Sequence, residues 1–352
     1  MLRLLFPALA LGLSCAFSGP AGAAEPGSYP WRPSRPLTLI VPWAAGGSTD
    51  QMARIVATEM AAALGQPVNV VNRPGATGSL GVKSALEAAA DGYTWCAGST
   101  GSLGTYPLLG LLDTKLDDWH VFVTVANVPV VSVGADSSAR DFGELLAELA
   151  RRPGEITVAT AGVGSTGHRV IELIAQKQRL SYRHVPHPGG KPASLSTAAG
   201  ETFATTQLTA DQADLIRAGR LRPLAALSRE PLELAGHGSI PPVTRWLPDL
   251  KISTDYFGLW TRAGAGPEVI ETMDRIWAER IATSRALQDY ARQNGALFLP
   301  SSGAQARALT WDTIVIDAWA LHQLGLTQRS PETMDIPRPD STPRKTAAGK
   351  SK

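Results

Sequence analysis

The chain has 352 residues, 44% of them hydrophobic and 18% charged, with a formal net charge of +2 at pH 7. So small a charge gives no reason to expect a nucleic-acid partner, while the apolar content is enough for ordinary cores. Its two cysteines, Cys15 and Cys96, leave only Cys96 once a leader is removed, which excludes an internal disulfide and a thiolate metal cluster.

Residues 1–24 read as a secretory signal. Arg3 gives a thin basic start, Leu4 to Phe17 is mostly apolar, and Ala21-Gly22-Ala23 offers a small-residue cleavage site. The apolar stretch is short for a bilayer span and contains Pro7. Export to the periplasm is expected, with cleavage after Ala23 or Ala24. What remains is long enough for two domains.

Residues 25–36 are a proline-bearing lead-in. A strand is predicted at 37–41, followed by the glycine turn Pro42-Trp43-Ala44-Ala45-Gly46-Gly47-Ser48-Thr49-Asp50. A helix over 50–64 follows, capped by Ser48 or Thr49, striped by Met52, Ile55, Val56 and Met60, and closed by Gly65. Next come a strand at 68–71, a turn at 72–78, a helix at 79–90 and a strand at 93–97 ending in Gly98-Ser99-Thr100-Gly101. Such alternation predicts a parallel sheet covered by helices. The apolar stretch 121–133, interrupted at Pro129, carries the chain to a second lobe.

There a helix at 142–150 and a strand at 156–159 lead into a second glycine turn, Ala161-Gly162-Val163-Gly164-Ser165-Thr166-Gly167-His168. A helix at 168–178, strand 182–185, helix 192–199, strand 203–207, helix 211–218 and strand 224–227 complete the lobe. Residues 229–250 read as loop, and a strand at 256–261 returns to the first lobe. Helices follow at 267–282, 284–293 and 304–324. The division expected is 36–130 with 255–326 for the first lobe, 131–254 for the second, and a disordered tail over 327–352.

A strand feeding a glycine turn and then a helix leaves several amides unpaired, and the helix dipole adds roughly half a positive charge there. Such an end binds anions without Lys or Arg. Two of them, roughly 115 residues apart, suggest two halves closing on one small anionic ligand.

Other chemistries are poorly supported. Gly162, Gly164 and Gly167 fit a dinucleotide fingerprint, but residues 180–190 lack the acid that would hold a ribose. The first turn lacks the Gly-Lys-Ser/Thr ending of a phosphate loop. Ser165 stands in no nucleophile elbow, and His168 is expected to hydrogen-bond the turn. His184 and His187 fall on opposite sides of an extended segment with no acid to complete a metal set. No cofactor, no metal and no catalytic residue are expected. Trp43 stands at the mouth of the first turn, either packed under the loop or walling a cleft.

These motifs together resemble the substrate-binding proteins of tripartite tricarboxylate transporters, the Bug family. Pro36–Asp50 with Arg54 looks like the opening signature. Leu64-Gly65-Gln66-Pro67-Val68 and Asn72-Arg73-Pro74-Gly75-Ala76 resemble the second, and Asp91-Gly92-Tyr93-Thr94 the third. Gly162-Val163-Gly164-Ser165 with His168, His184-Val185-Pro186 and Ile216–Arg222 fit as well. The resemblance implies an α/β, two-lobed periplasmic-binding-protein fold of type II, each lobe a mostly parallel sheet flanked by helices. It implies a non-catalytic receptor for a small organic carboxylate, delivering to the membrane subunits of a transporter; a carboxylate sensor and a periplasmic enzyme are the alternatives. A monomer is expected. Ligand contacts are expected from Trp43, Ala44, Ala45, Gly46, Gly47, Ser48 and Thr49 on one grip loop, and from Gly162, Gly164, Ser165, Thr166 and His168 on the other. Ser99, Thr100 and Thr206 are expected to touch the ligand between them. The sequence departs from the family at Val71, at Pro188-Gly189-Gly190-Lys191 and at Thr205-Thr206-Gln207.

Overall fold

A computed structural model describes residues 29–250 and 253–339. The signal call at 1–24 and the last part of the tail call, 340–352, lie outside the described residues. The first half alternates β1 (Leu37–Val41), α1 (Ser48–Leu64), β2 (Val68–Asn72), α2 (Ser79–Leu86), β3 (Thr94–Ser99), α3 (Ser102–Thr105) and β4 (Trp119–Asn127). Then come β5 (Pro129–Gly134), α4 (Phe142–Arg151), β6 (Thr157–Thr160), α5 (Thr166–Gln178), β7 (Arg183–Pro186), α6 (Gly190–Ala198), β8 (Ala204–Leu208), α7 (Thr209–Arg217) and β9 (Leu221–Ala226). The small hairpin β10 (Leu232–Leu234) and β11 (Gly238–Ile240) precedes β12 (Asp255–Arg262), α8 (Pro267–Glu279), α9 (Arg285–Asn294), β13 (Ala296–Ser301) and α10 (Gly303–Gln323).

Two sheets result, each with its own apolar core. One has the order β13-β4-β12-β3-β1-β2, the other β7-β6-β8-β5-β9. This is the expected two-lobed α/β architecture, but the sheets are mixed rather than mostly parallel. β1 pairs in parallel with β2 and β3, and β6 with β7 and β8. β12 and β5 pair antiparallel with their neighbours. The strands by which the chain enters each lobe from the other, β5 and β12, run opposite to the βα repeats beside them, which a reading of βα units alone misses.

The apolar stripe of α1 folds as its 3.6-residue spacing requires: Met52, Val56 and Met60 are fully buried on the first sheet. Each such side chain stabilises the fold by roughly 1.5–3 kcal/mol. Gly65 ends the helix in the left-handed conformation, as expected. The cap does not match: the N-cap is Gly47, with no side-chain cap bond.

Three further expectations need correcting. Pro129 and Val130 belong to the second sheet, because proline opens β5 rather than closing β4, a position where its missing N–H is tolerated. The strand β13 was not foreseen, since Pro300 reads as a breaker; it lies at the sheet edge, with the register shifting between Phe298 and Ser301. Residues 328–339 are ordered rather than disordered. Gln328 N–H donates to Leu108 O at 2.7 Å, Trp319 Nε1 donates to Pro337 O at 2.7 Å, and Ile336 is buried in the α10 core. Two apolar anchors, Met334 and Ile336, outweigh the polar composition around them.

Candidate functional site

Both glycine turns lie at the carboxyl ends of parallel strands, β1 and β6, where open α/β sheets leave a crevice. In the first turn Gly46 takes a positive φ of 78°. Behind it Asp50, itself buried, accepts from the Gly46 amide at 2.9 Å, from Arg54 at 2.9 and 3.0 Å, and from Asn72 Nδ2 at 2.9 Å. Burial opposes ionisation of Asp50, but the bonds from Arg54, Gly46 and Asn72 outweigh it and hold its pKa below the ordinary carboxylate value. Asn72 also donates to Trp43 O at 3.0 Å. Asp50 and Arg54 from one sequence motif and Asn72 from another are therefore one frame that sets the loop.

The second turn is framed by histidines. The Gly164 amide donates to His168 Nδ1 at 3.0 Å, so that ring carries its proton on Nε2, which faces Glu172 at 3.4 Å. His168 stacks on His184 at 4.1 Å, and His184 Nε2 meets Thr160 Oγ1 at 2.6 Å. Burial lowers the His184 pKa to about 4, which disfavours a charge on that ring of the stack. Ser165 caps α5 by accepting from the His168 amide. Gly167 is obligatory for packing: a Cβ there would collide with Thr206 O.

One cavity of about 50 Å³ lies between the two sheets and is lined by both turns. Of the residues expected to contact a ligand, Trp43, Ala44, Gly47, Ser48, Thr49, Ser99, Gly164, Ser165 and Thr166 line it. Ala45, Gly46, Thr100, Gly162, His168 and Thr206 do not. Gly162 and His168 shape the turn from behind, Thr100 is wholly buried, and Thr206 Oγ1 supports α5 by donating to Gly167 O at 2.7 Å. On β8, whose side chains alternate between faces, Gln207 lines the cavity where Thr206 was expected to.

Several lining residues were not foreseen. Tyr106, Leu109 and Phe257 add apolar wall beside Trp43, and Thr77, Ser102 and Thr105 add hydroxyls. No sequence motif singles out these residues, because tertiary packing brings them to the cleft. Asp211 does carry a sequence signal, an acid in the first turn of the helix that follows β8. It is buried, and its Oδ1 accepts from the Ser48 amide, the first of α1, at 2.7 Å. Burial raises its pKa to about 6 against the opposing pull of that bond.

A second set of charges joins the lobes next to the cavity. Arg169 of α5 pairs with Asp317 of α10 at 2.9 Å and approaches Asp255 of β12 at 3.8 Å. Asp255 accepts from Ser99 Oγ at 2.5 Å and from the Thr166 hydroxyl. Two hydroxyls expected to serve a ligand are thus already engaged. Among the described residues no group of three or more acids, histidines or cysteines could hold a metal. Cys96 is buried in the core, and burial raises its thiol pKa out of the reactive range.

Comparison with known proteins follows the same lines. The model of the "tripartite tricarboxylate transporter family receptor" matches residues 52–299. BugT of Bordetella pertussis is 30% identical over 308 residues, which cover 86% of this chain and 93% of BugT. Among solved structures, the periplasmic binding protein BugD superposes with a TM-score of 0.77 at 22% identity, covering 84% of this chain and all of BugD. An R. palustris protein solved with adipate superposes with a TM-score of 0.76 at 24% identity, covering 83% of this chain and 98% of that one. At these identities the two structures speak for the fold.

Proposed function

Because this chain belongs to the tripartite tricarboxylate transporter receptor family, we propose that it is a periplasmic receptor which traps a small organic carboxylate between its lobes. It acts without catalysis, reaches the periplasm by cleavage of residues 1–24, and delivers its cargo as a monomer to the membrane subunits of a transporter. The observation that carries this reading is the shared cavity: the starts of α1 and α5, one from each lobe, line a single space. Each helix start presents amides that have no intrahelical acceptor, at the positive end of its dipole. A carboxylate at such an end gains roughly 0.3–1 kcal/mol, and up to about 2 kcal/mol when partly buried. The adipate held by the relative of like fold is a ligand of this chemical class.

Calorimetry of the purified protein against mono- and dicarboxylates of increasing length tests the reading. Saturable binding of at least one is expected. Gly47→Val should weaken it tenfold or more, since a side chain there starts 3.3 Å from Asp211 and enters the loop wall. A protein that binds no carboxylate, or binds one equally well with Val at 47, overturns it.

A further inference from the structure

The polar inventory of the cavity is uneven. Among the described residues that line it there is no lysine or arginine, yet there is one carboxylate, Asp211. That carboxylate already occupies the anion seat at the start of α1 through its bond from the Ser48 amide. The nearest cation, Lys191, acts on Asp211 only through space, and the hydrogen bonds of the titratable groups around it go to other partners. Lys191 of α6 pairs with Asp214 at 3.4 Å, and Tyr290 of α9 donates to Ser48 O at 3.1 Å. Between Asp211 and the start of α5 stands Gln207, its Oε1 on the side of Gly190 and Asp211; it is 2% exposed, lines the cavity, and its Nε2 has no hydrogen-bond partner. That nitrogen lies beside the start of α5, 2.9 Å from where a Cβ on Gly167 would stand. A buried amide donor without an acceptor is costly and calls for one.

We infer that the cavity is built for a small amino-carboxylate, with Asp211 as the counter-ion of its ammonium group. The inference rests on the carboxylate-receptor reading and narrows its ligand class. The ligand carboxylate takes the start of α5 and the Gln207 amide. Its ammonium faces Asp211, which leaves α1 with its own internal anion. A second carboxylate at the α1 end would lie against Asp211 in a site of low dielectric, where like charges repel strongly. An ammonium placed there is attracted by the same rule. A cavity of about 50 Å³ limits the guest to a short chain.

Matched pairs that differ only by an ammonium group test this by calorimetry on the purified protein: propionate with alanine, butyrate with 4-aminobutyrate, succinate with aspartate. In at least one pair the amino member should bind ten times more tightly or better, and Asp211→Asn should bring that pair to parity. Gln207→Leu should weaken both members alike and leave their ratio unchanged. Thermal melts of each variant establish that it is folded, and Asp211→Ser serves if the Asn variant is not. Preference for the plain carboxylate in every pair, or an amino preference that survives both Asp211 variants, overturns the inference and leaves the receptor reading standing. Failure of every compound in all pairs overturns the inference, and the receptor reading falls with it only if the full length series of mono- and dicarboxylates also fails to bind.

Discussion

Single residues in this protein do more to shape the cleft than to fill it. The frame of Asp50, Arg54 and Asn72 holds the first turn without touching the cavity. The sequence shows Asp50 and Arg54 in one motif and Asn72 in another, and what it does not show is that they converge. Asp211 is the reverse case. Its folded pKa of about 6 stands above the ordinary 3.8 because burial disfavours the charged form. The folded protein therefore holds that proton more tightly than the unfolded chain does. The associated stability is fully present below about pH 4 and is lost as the pH rises through about 6. Asp211→Asn removes the buried charge and keeps an acceptor for the Ser48 amide. It should stabilise the ligand-free protein by about 3 kcal/mol at pH 8 and by little at pH 4. Denaturant titrations at the two pH values check this, and an equal effect at both would refute it.

Among the elements, those with a strong local pattern were legible. The stripe of α1, the strand at 37–41 and the glycine turns announce themselves through spacing. Elements whose identity depends on a distant partner did not: β13 is a strand because β4 offers it an edge, and Pro300 masks that in the sequence. On β8 the sequence shows the alternation but not its phase, and the structure turns Gln207, not Thr206, to the cavity. The segment after Thr327 teaches the same lesson, because a few apolar side chains decide its fate. Truncation after Thr327 removes the buried Ile336 and the bond from Trp319 to Pro337 O. It should cost about 2–4 kcal/mol, read as a lower urea midpoint. An unchanged midpoint would show that the segment contributes nothing to stability.

For the whole molecule the decisive contacts are those between the lobes. Arg169 reaches from α5 to Asp317 on α10, with Asp255 beside them, and all three are buried. Arg169→Met would strand two carboxylates in a dry setting, a loss of roughly 3–5 kcal/mol. The expected outcome is a lower melting temperature together with a larger radius of gyration in small-angle scattering, as the lobes part. Unaltered dimensions would mean that other contacts hold them. How the lobes can part follows from their shortest connection. Only Val128 separates β4 from β5, and its carbonyl is pinned by the amide and hydroxyl of Thr209 at 2.9 and 2.6 Å. A one-residue tether swivels but does not stretch. Opening is thus a pivot about a fixed corner, like a book turning on its spine, and a spectroscopic label on the outer rim would travel far while one beside the corner hardly stirred.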